Sequence, residues 1–414
     1  MSHLNLLSRL STRLVPSGIR KLEQLAKDMP GLISLGPGQP DSTLFPSAEI
    51  VSALSAVFDN PDAAALALQY GQSQGNPELL ALLAQHMLNR GVTCDASNIL
   101  VTAGAQQAID LITQLLVDDG DSVLVQPYTY PGALQVFRAR GAKVAPLAEQ
   151  DDSMHGSDTK FIYAMTDFQN PTGEVLSMDE RATLLATARR RGTFLVEDSP
   201  YRELRFSNRD VPPTLLEMDC GNASPDTGRT LFVGSFSKII APGLRVGWIV
   251  GPANVISLLT LLRQGSDLQP GTLSQEIVVN LLKHGIDEHV ARVRRRYQER
   301  RDAMLNALQA HLHPYATWNA PEGGFFVWVK LSVPIDAREL LDKAIENGVA
   351  YVPGSEFQHD AHASSNLRLS FSIADPQFMD EAIRRLAETI AAVLKTQLPI
   401  ESRPSFSLRA PRNR

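Results

Sequence analysis

The sequence is poor in cysteine and lacks a clustered set of metal ligands. Its 414 residues include two cysteines, Cys94 and Cys220, which are far apart and form no Cys-x-x-Cys pair. Neither a disulfide framework nor a cysteine-bound metal is expected, and this usage is typical of a reducing compartment such as the cytoplasm. Two histidine pairs, at positions 311 and 313 and at 359 and 362, have no acid or cysteine cluster beside them. They are therefore predicted to be surface residues rather than metal ligands.

Long apolar runs and a strong excess of one charge are also missing. No stretch is long enough to cross a bilayer, and the amino terminus has no signal-peptide hydrophobic segment. The net charge of −6 gives no reason to expect nucleic acid or a membrane surface as a partner. The one dense basic cluster, residues 292–301, is mixed with Glu288, Glu299 and Asp302. It predicts a solvated helix face with local ion pairs.

From residue 98 onward, predicted strands alternate with predicted helices. The strands are nearly continuous apolar runs, at residues 98–102, 122–126, 161–165, 194–197, 231–233 and 246–250. Such runs are typical of strands in a mostly parallel sheet that is covered by helices on both faces. The sequence therefore predicts an α/β, doubly wound core.

After about residue 283 the pattern changes to long helices with a few strands, which predicts a smaller α+β domain. We expect residues 1–45 to form an amino-terminal arm and part of the small domain, residues 46–283 a large domain and residues 284–398 a small carboxy-terminal domain. Residues 399–414 are rich in proline, serine and arginine and have almost nothing to bury. They are expected to form a disordered tail.

The most informative stretch follows the predicted strand at 231–233. It contains Ser235, Ser237 and Lys238, and Arg245 comes seven positions after the lysine. Two hydroxyls and a guanidinium suit a phosphate, and a desolvated lysine amine suits an aldehyde, with which it forms a Schiff base. A small molecule with both groups is pyridoxal 5'-phosphate. The alternative, a serine- and lysine-containing loop that caps a helix, is equally compatible with this stretch on its own.

Three other predicted strands end in polar residues, and ligands of α/β sheets lie at such carboxyl ends. Residues 102–107 combine a glycine with a helix start, which can cradle a phosphate. Asn170 opens the turn 170–173, and its amide could donate to a ring oxygen. Asp198 and Tyr201 follow the strand at 194–197, and a buried Asp198 would need a partner such as a pyridinium N–H. Taken singly, a glycine turn, a turn asparagine and a helix-capping aspartate explain these residues as well.

In this order, these features make the sequence resemble the fold-type I pyridoxal phosphate-dependent aminotransferases of the aspartate aminotransferase superfamily. The likeness covers residues 17–395 and is greatest to the subgroup of 2-aminoadipate, kynurenine and aromatic aminotransferases. It is carried by residues 33–40, 44–46, 69–71, 75–79, 126–130, 170–173 and 322–326 and by the neighbourhoods of Lys238 and Arg368. The resemblance implies a seven-stranded, mostly parallel sheet and transfer of an amino group between an L-amino acid and a 2-oxo acid, with 2-oxoglutarate as the expected acceptor and with ping-pong kinetics.

The resemblance also implies a role for each matching residue. Lys238 would hold the cofactor and shuttle the proton, Asp198 would pair with the ring nitrogen, and Asn170 and Tyr201 would bond the ring hydroxyl. Arg368 would clamp the substrate α-carboxylate, and Tyr128 would stack on the ring. The phosphate would be held by Gly104, Ala105, Gln106, Ser235, Ser237 and Arg245, together with Tyr70 from a second subunit, which implies a homodimer with shared active sites.

Two short segments near the amino terminus bear on substrate preference. In the resembling subgroup an amino-terminal helix covers the substrate side chain, and here Ser17-Gly18-Ile19-Arg20 matches its pattern. Arg20 is thus either a contact to an acidic side chain or a surface arginine, and Gly38 is expected near the substrate. The subgroup has an apolar residue after two glycines, where this chain has Pro37-Gly38-Gln39. The donors expected are 2-aminoadipate-like, aromatic or branched aliphatic amino acids, or a specialised amino acid of secondary metabolism.

Three rival functions are open to a chain of this pattern. A β-lyase, decarboxylase or acyl-transferring synthase of the same fold would share the cofactor residues. A cofactor-sensing transcription regulator would need a DNA-binding domain, for which the 16 residues before the matching region are too few. A nicotinamide-dependent dehydrogenase would show Gly-x-Gly-x-x-Gly after a strand, and the sequence has none.

Overall fold

The computed structural model describes residues 6–147, 159–207, 211–360 and 362–397. The helices are α1 Gly18–Asp28, α2 Ser47–Phe58, α3 Pro61–Leu68, α4 Pro77–Leu88, α5 Ala105–Leu116, α6 Pro131–Ala139, α7 Met178–Arg191, α8 Leu215–Cys220, α9 Ala253–Gln264, α10 Thr272–His284, α11 Asp287–Ala307, α12 Ala337–Glu346 and α13 Pro376–Gln397. Within these residues, no helix combines the length and the apolar character that a bilayer crossing needs. The predicted tail at 399–414 lies outside the described residues.

The strands form three sheets. They are β1 Ile33–Ser34, β2 Ile99–Thr102, β3 Ser122–Val125, β4 Lys143–Pro146, β5 Thr159–Ala164, β6 Phe194–Asp198, β7 Thr230–Ser235, β8 Gly247–Val250, β9 Ala316–Trp318, β10 Phe326–Leu331, β11 Val349–Ala350, β12 Val352–Pro353 and β13 Asn366–Ser370. The largest sheet has seven strands in the order β2-β8-β7-β6-β5-β3-β4. The second has four, in the order β12-β13-β10-β9, and β1 pairs with β11.

The seven-stranded sheet confirms the predicted α/β class. Its strands β7, β6, β5, β3 and β4 are parallel, and β8 runs antiparallel to both of its neighbours, β2 and β7. All residues of β2, β7 and β8 are buried, as their unbroken apolar sequences predict. The edge strand β4 was not predicted, because it opens on the exposed Lys143, ends on a proline and lacks an apolar run.

The four-stranded sheet is antiparallel throughout and is built from residues 316–370, well after the last strand of the large sheet. Helices α11, α12 and α13 lie along this part of the chain. On this separation we propose that residues 1–45 form an arm and part of the small domain, residues 46–283 the large domain and residues 284–398 the small domain, and the pairing of β1 with β11 supports the first of these assignments.

The arginine-rich helix α11 is less solvated than its sequence predicts. Arg296 pairs with Glu299 on the surface at 3.1 Å, as expected. Arg300, however, is buried and donates to Asp41 and to the Ser372 carbonyl. The interpretation of the whole cluster as a solvated face is therefore wrong at Arg300, because an arginine can lie inside a protein when its hydrogen bonds are supplied there.

A buried ion cluster fixes the chain beyond the carboxyl end of β5. Asp167 is fully buried and accepts from Arg181 at 3.0 Å, Arg202 at 2.6 Å and Arg205 at 3.3 Å. Burial opposes the charge on Asp167, but the Arg202 and Arg181 guanidinium groups outweigh it and lower its pKa. This cluster lies three residues before Asn170 and so holds the loop that carries that side chain.

Removing the central carboxylate should destabilise the protein strongly. Asp167→Ala would leave three largely buried guanidinium groups without their common partner, which costs about 3–5 kcal/mol in free energy of unfolding. Urea unfolding followed by circular dichroism would measure it. Asp380→Ala, which removes the exposed partner of His311, is the control and should cost about 1 kcal/mol or less; equal effects of the two substitutions would contradict the role given to Asp167.

Candidate active site

A cavity of 730 Å³ opens at the carboxyl ends of β5, β6 and β7. Most of the residues predicted from the sequence line it: Arg20, Gly38, Ala105, Gln106, Asn170, Asp198, Tyr201, Ser235, Ser237, Lys238, Arg245 and Arg368. They come from the amino-terminal segment, the large sheet and β13. The site is thus assembled from three distant parts of the chain.

Lys238 lies just beyond β7, with its Nζ inside this cavity. The amine donates to the Gly38 carbonyl at 3.2 Å and lies 5.6 Å from the centre of the Tyr201 ring. Burial, with the nearby charges of Arg368 and Arg245, lowers the pKa of the amine to about 8, and Asp198 opposes that shift. A substantial fraction of the amine is therefore uncharged and nucleophilic near neutral pH.

Asp198, the last residue of β6, is a buried carboxylate with one oxygen in use. Its Oδ2 accepts from the Tyr163 hydroxyl at 2.6 Å. Its Oδ1 is buried and has no hydrogen-bond partner among the described residues. Burial raises the pKa of Asp198 to about 6. An N–H donor presented from the cavity would satisfy the free oxygen, and a cationic one would also stabilise its charge.

Sequence reasoning missed Tyr163, although the sheet register identifies it. Tyr163 is opposite Val196 in the β5–β6 pair, and Val196 and Asp198 project to the same face of β6 because side chains alternate along a strand. The fully buried Tyr163 side chain therefore reaches Asp198 across one strand spacing. The sequence alone does not identify this contact, because it depends on which residue of β5 lies opposite Val196.

A second part of the cavity offers a cluster of donors for an anion. Ser235 and Ser237 line it, as does the first turn of α5, which has no side-chain cap. The helix is preceded by Gly104 at φ +81°, where an added Cβ would lie 2.6 Å from Nη2 of Arg245. Arg245 is itself held by the carbonyls of Ala103 and Pro242, at 3.0 and 3.1 Å. Backbone N–H groups, hydroxyls and a guanidinium converge here, which suits a phosphate.

Arg368, from β13, is the buried cation on the opposite side. It donates from Nη1 to Asn170 Oδ1 at 2.7 Å and from Nη2 to the Gly36 carbonyl. Its guanidinium lies 4.2 Å from the centre of the Phe326 ring. Burial lowers its pKa to about 10, so it stays charged at neutral pH and can bind a carboxylate in a two-pronged pair. The same Phe326 ring lies 2.7 Å from an added Cβ at Gly38, so a side chain at Gly38 would displace it.

Tyr201 is buried next to the lysine and packs against two aromatic rings. Its ring centre lies 5.3 Å from that of Phe325 and 5.8 Å from that of Phe326, both edge to face. Burial raises the pKa of its hydroxyl. The phenol is therefore a neutral hydrogen-bond donor in the working pH range.

Three predicted residues lie off the cavity wall. Gly104 acts through its contact with Arg245. Tyr128 does not line the cavity: its hydroxyl accepts from Asn366 at 2.7 Å and its ring packs edgewise on Trp328. Tyr130 occupies the wall instead, with its hydroxyl 3.1 Å from Gln106 Oε1, so the structure corrects the prediction made for Tyr128.

Tyr70 is the third residue off the cavity. It is 79% exposed, which leaves its side chain free to reach another molecule.

Of the described residues, no group of three or more histidine, cysteine, aspartate or glutamate side chains is placed to hold a metal ion.

The comparisons with known proteins agree with this geometry. The family model described as aminotransferase class I and II matches residues 30–386. An aromatic-amino-acid aminotransferase of Thermococcus litoralis is 35% identical over 92% of each chain, and a 2-aminoadipate transaminase of Thermus thermophilus is 34% identical over 92% of this chain and 96% of its own. A kynurenine aminotransferase of Pyrococcus horikoshii, solved in complex with PMP, matches with a TM-score of 0.87 and 33% identity over 94% of this chain and 98% of its own.

The lowered pKa of Lys238 predicts unusual reactivity in the ligand-free protein. Because only the uncharged amine attacks an acylating reagent, its labelling by acetic anhydride should rise with pH and reach half its maximum near pH 8. Mass mapping of the peptide that contains residue 238 across pH 6.5–11 would measure this. A midpoint near 10.5, the ordinary lysine value, would contradict the burial argument.

Proposed function

The chain belongs to the class I and II aminotransferase family, whose members are pyridoxal phosphate-dependent enzymes, and from this we propose that it transfers the α-amino group of an L-amino acid to 2-oxoglutarate with ping-pong kinetics. The donors proposed are 2-aminoadipate-like, aromatic or branched aliphatic amino acids, which include those in the names of its relatives. The observation that carries the proposal is the convergence of Lys238, the free oxygen of Asp198 and Arg368 on one cavity.

The residues present fit pyridoxal 5'-phosphate. The free Asp198 Oδ1 would pair with the pyridine nitrogen. The donor cluster at the start of α5, with Ser235, Ser237 and Arg245, would hold the phosphate, and Lys238 would hold the aldehyde carbon. Asn170 and Tyr201 would bond the ring hydroxyl, and Tyr130 would stack on the ring. When bound, this cofactor supplies an electron sink for the substrate Cα and carries the amino group between the two half-reactions.

The side chains then perform binding and proton transfer. Arg368 binds the substrate α-carboxylate and fixes the direction in which the Cα proton points. Lys238 Nζ takes that proton from Cα and would deliver it to the cofactor carbon that had carried the aldehyde, which a pKa of about 8 allows near neutral pH; a well-placed general base of this kind contributes roughly 10²–10⁴-fold in rate. Asp198 keeps the ring nitrogen protonated, and Tyr163 holds Asp198 in position.

We also propose that the working unit is a cytoplasmic homodimer. Tyr70 is 79% exposed, and Leu66 and Leu68 on the same segment are 70% exposed each. Apolar side chains clustered on a surface favour a protein contact. In this arrangement Tyr70 would reach the phosphate of the partner's site.

Lys238→Ala should abolish turnover and the visible absorbance of bound cofactor, because no other described lysine lines the cavity. The direct test is borohydride reduction of the loaded protein followed by mass mapping, which should place the adduct on residue 238. Half-reaction spectra with single amino acids would complete it, because an amino acid alone should convert the bound cofactor. Release of a β-elimination product or of carbon dioxide would favour a lyase or a decarboxylase.

The two tyrosines of residues 126–130 provide a matched pair. Tyr130→Ala should weaken cofactor retention about fivefold or more, since an aromatic stack contributes roughly 1 kcal/mol beyond the area it buries. Tyr128→Ala removes the same atoms two residues away and should have a smaller effect. Cofactor dissociation followed by absorbance compares them, and the reverse order would reinstate Tyr128 as the stacking residue.

A further inference from the structure

Helix α1 brings two opposite charges to the cavity. Arg20 and Glu23 both line it, and residues three apart share one face of a helix. No residue of α1 is buried, so the helix lies over the cavity rather than in the core. The chain before it is tied down by a bond from Gln135 Nε2 to the Val15 carbonyl at 3.4 Å and by the pair of Arg13 with Asp119 at 2.7 Å.

The other charges that line the cavity already have roles in the proposed reaction. Lys238, Arg245 and Arg368 are proposed to bind the aldehyde, the phosphate and the α-carboxylate, and Asp198 is proposed to pair with the ring nitrogen. Arg20 and Glu23 line the same cavity and have no role in that chemistry, which leaves them available to the substrate side chain. Helix α1 therefore contributes charges of both signs to the cavity wall.

Glu23 is partly buried and lines the cavity. Among the described residues its side chain has no hydrogen-bond or ion-pair partner, and Arg20, one turn away, does not pair with it. Burial lowers the pKa of Lys238 and of Arg368, and the negative charge of Glu23 partly offsets both shifts. The Glu23 carboxylate is thus electrically coupled to the two side chains that handle the substrate.

A polar residue lies beside this pair. Gln39 lines the cavity, and its side-chain amide likewise makes no hydrogen bond to a described residue. The Glu23 carboxylate and the amide oxygen of the exposed Gln39 are acceptors to which an apolar substrate side chain offers no donor. A substrate side chain with N–H donors would satisfy both.

We propose, on the basis of the aminotransferase function above, that Glu23 tunes specificity within the donors proposed there: it weakens the preference for acidic side chains that Arg20 alone would give and favours donors whose side chain carries an amine or another N–H donor. Arg20 alone would attract an acid. Glu23 on the same helix face opposes that attraction, because a second carboxylate placed beside it is repelled. The reaction is unchanged: the donor loses its α-amino group and becomes the 2-oxo acid, and the acceptor gains that group.

Three donors of matched chain length test this with the loaded enzyme: lysine, 2-aminoadipate and norleucine. Their side chains end in an amine, a carboxylate and a methyl group, and norleucine is the reference for each variant. In Glu23→Gln the ratio of kcat/KM for 2-aminoadipate to that for lysine should rise about fivefold or more, as expected for loss of one partly exposed charge. Arg20→Gln should move the same ratio in the opposite direction.

The control is Glu346→Gln, the same change at an exposed glutamate that does not line the cavity; its ratio should equal that of the unaltered enzyme. Cofactor absorbance verifies that each variant is folded and loaded. An unchanged ratio in Glu23→Gln, with norleucine still converted, would overturn the role of Glu23 and leave the aminotransferase function intact. Failure of the unaltered enzyme to convert any of the three donors would overturn the role of Glu23, and failure to convert aromatic and branched aliphatic donors as well would overturn the aminotransferase function.

Discussion

The buried carboxylate of Asp198 is the constraint around which the site is arranged. A charge at the end of a central strand is costly unless it is compensated, and the protein supplies one hydrogen bond, from Tyr163. The nearby charge of Lys238 favours the ionised form of Asp198. Any molecule that presents a protonated ring nitrogen to the free oxygen of Asp198 gains an interaction in a medium of low polarity, where it is stronger than in water. The cavity therefore fixes both the position and the charge of what it binds.

The remaining groups are held by a chain of interactions that begins outside the cavity. Asp167 and its three arginines fix the loop that leads to Asn170, and Asn170 in turn positions Arg368. Arg368 comes from the four-stranded sheet, whereas Lys238 follows a strand of the seven-stranded sheet. The site thus depends on the relative position of the two sheets. The buried ion cluster helps to fix that position, because it holds the loop whose Asn170 accepts a hydrogen bond from Arg368. Precision at the reacting atoms comes from this second layer of contacts.

Much of this arrangement could be predicted from the sequence because its signals are local. Ser235, Ser237, Lys238 and Arg245 lie within one short stretch, and unbroken apolar runs marked the central strands. What failed depended on distant partners: Tyr163 is identified by strand register, Glu23 by the way α1 lies over the cavity, and the burial of Arg300 by Asp41. The exchange of Tyr128 for Tyr130 has a simpler cause. Two tyrosines stand two positions apart, and only the backbone path beyond β3 decides which one enters the cavity.

The single reversed strand of the large sheet has a mechanical consequence. Because β8 runs antiparallel to β7, with Ser235 opposite Gly247, the chain leaves β7 and enters β8 at the same edge. Parallel neighbours would need a crossover of a dozen or more residues, usually through a helix. Here a short covalent connection joins the amine-bearing residue after one strand to the guanidinium before the next. The residues proposed to bind the aldehyde and the phosphate, Lys238 and Arg245, thus belong to one run of eight consecutive residues, and the length of this connection limits how far apart they can move.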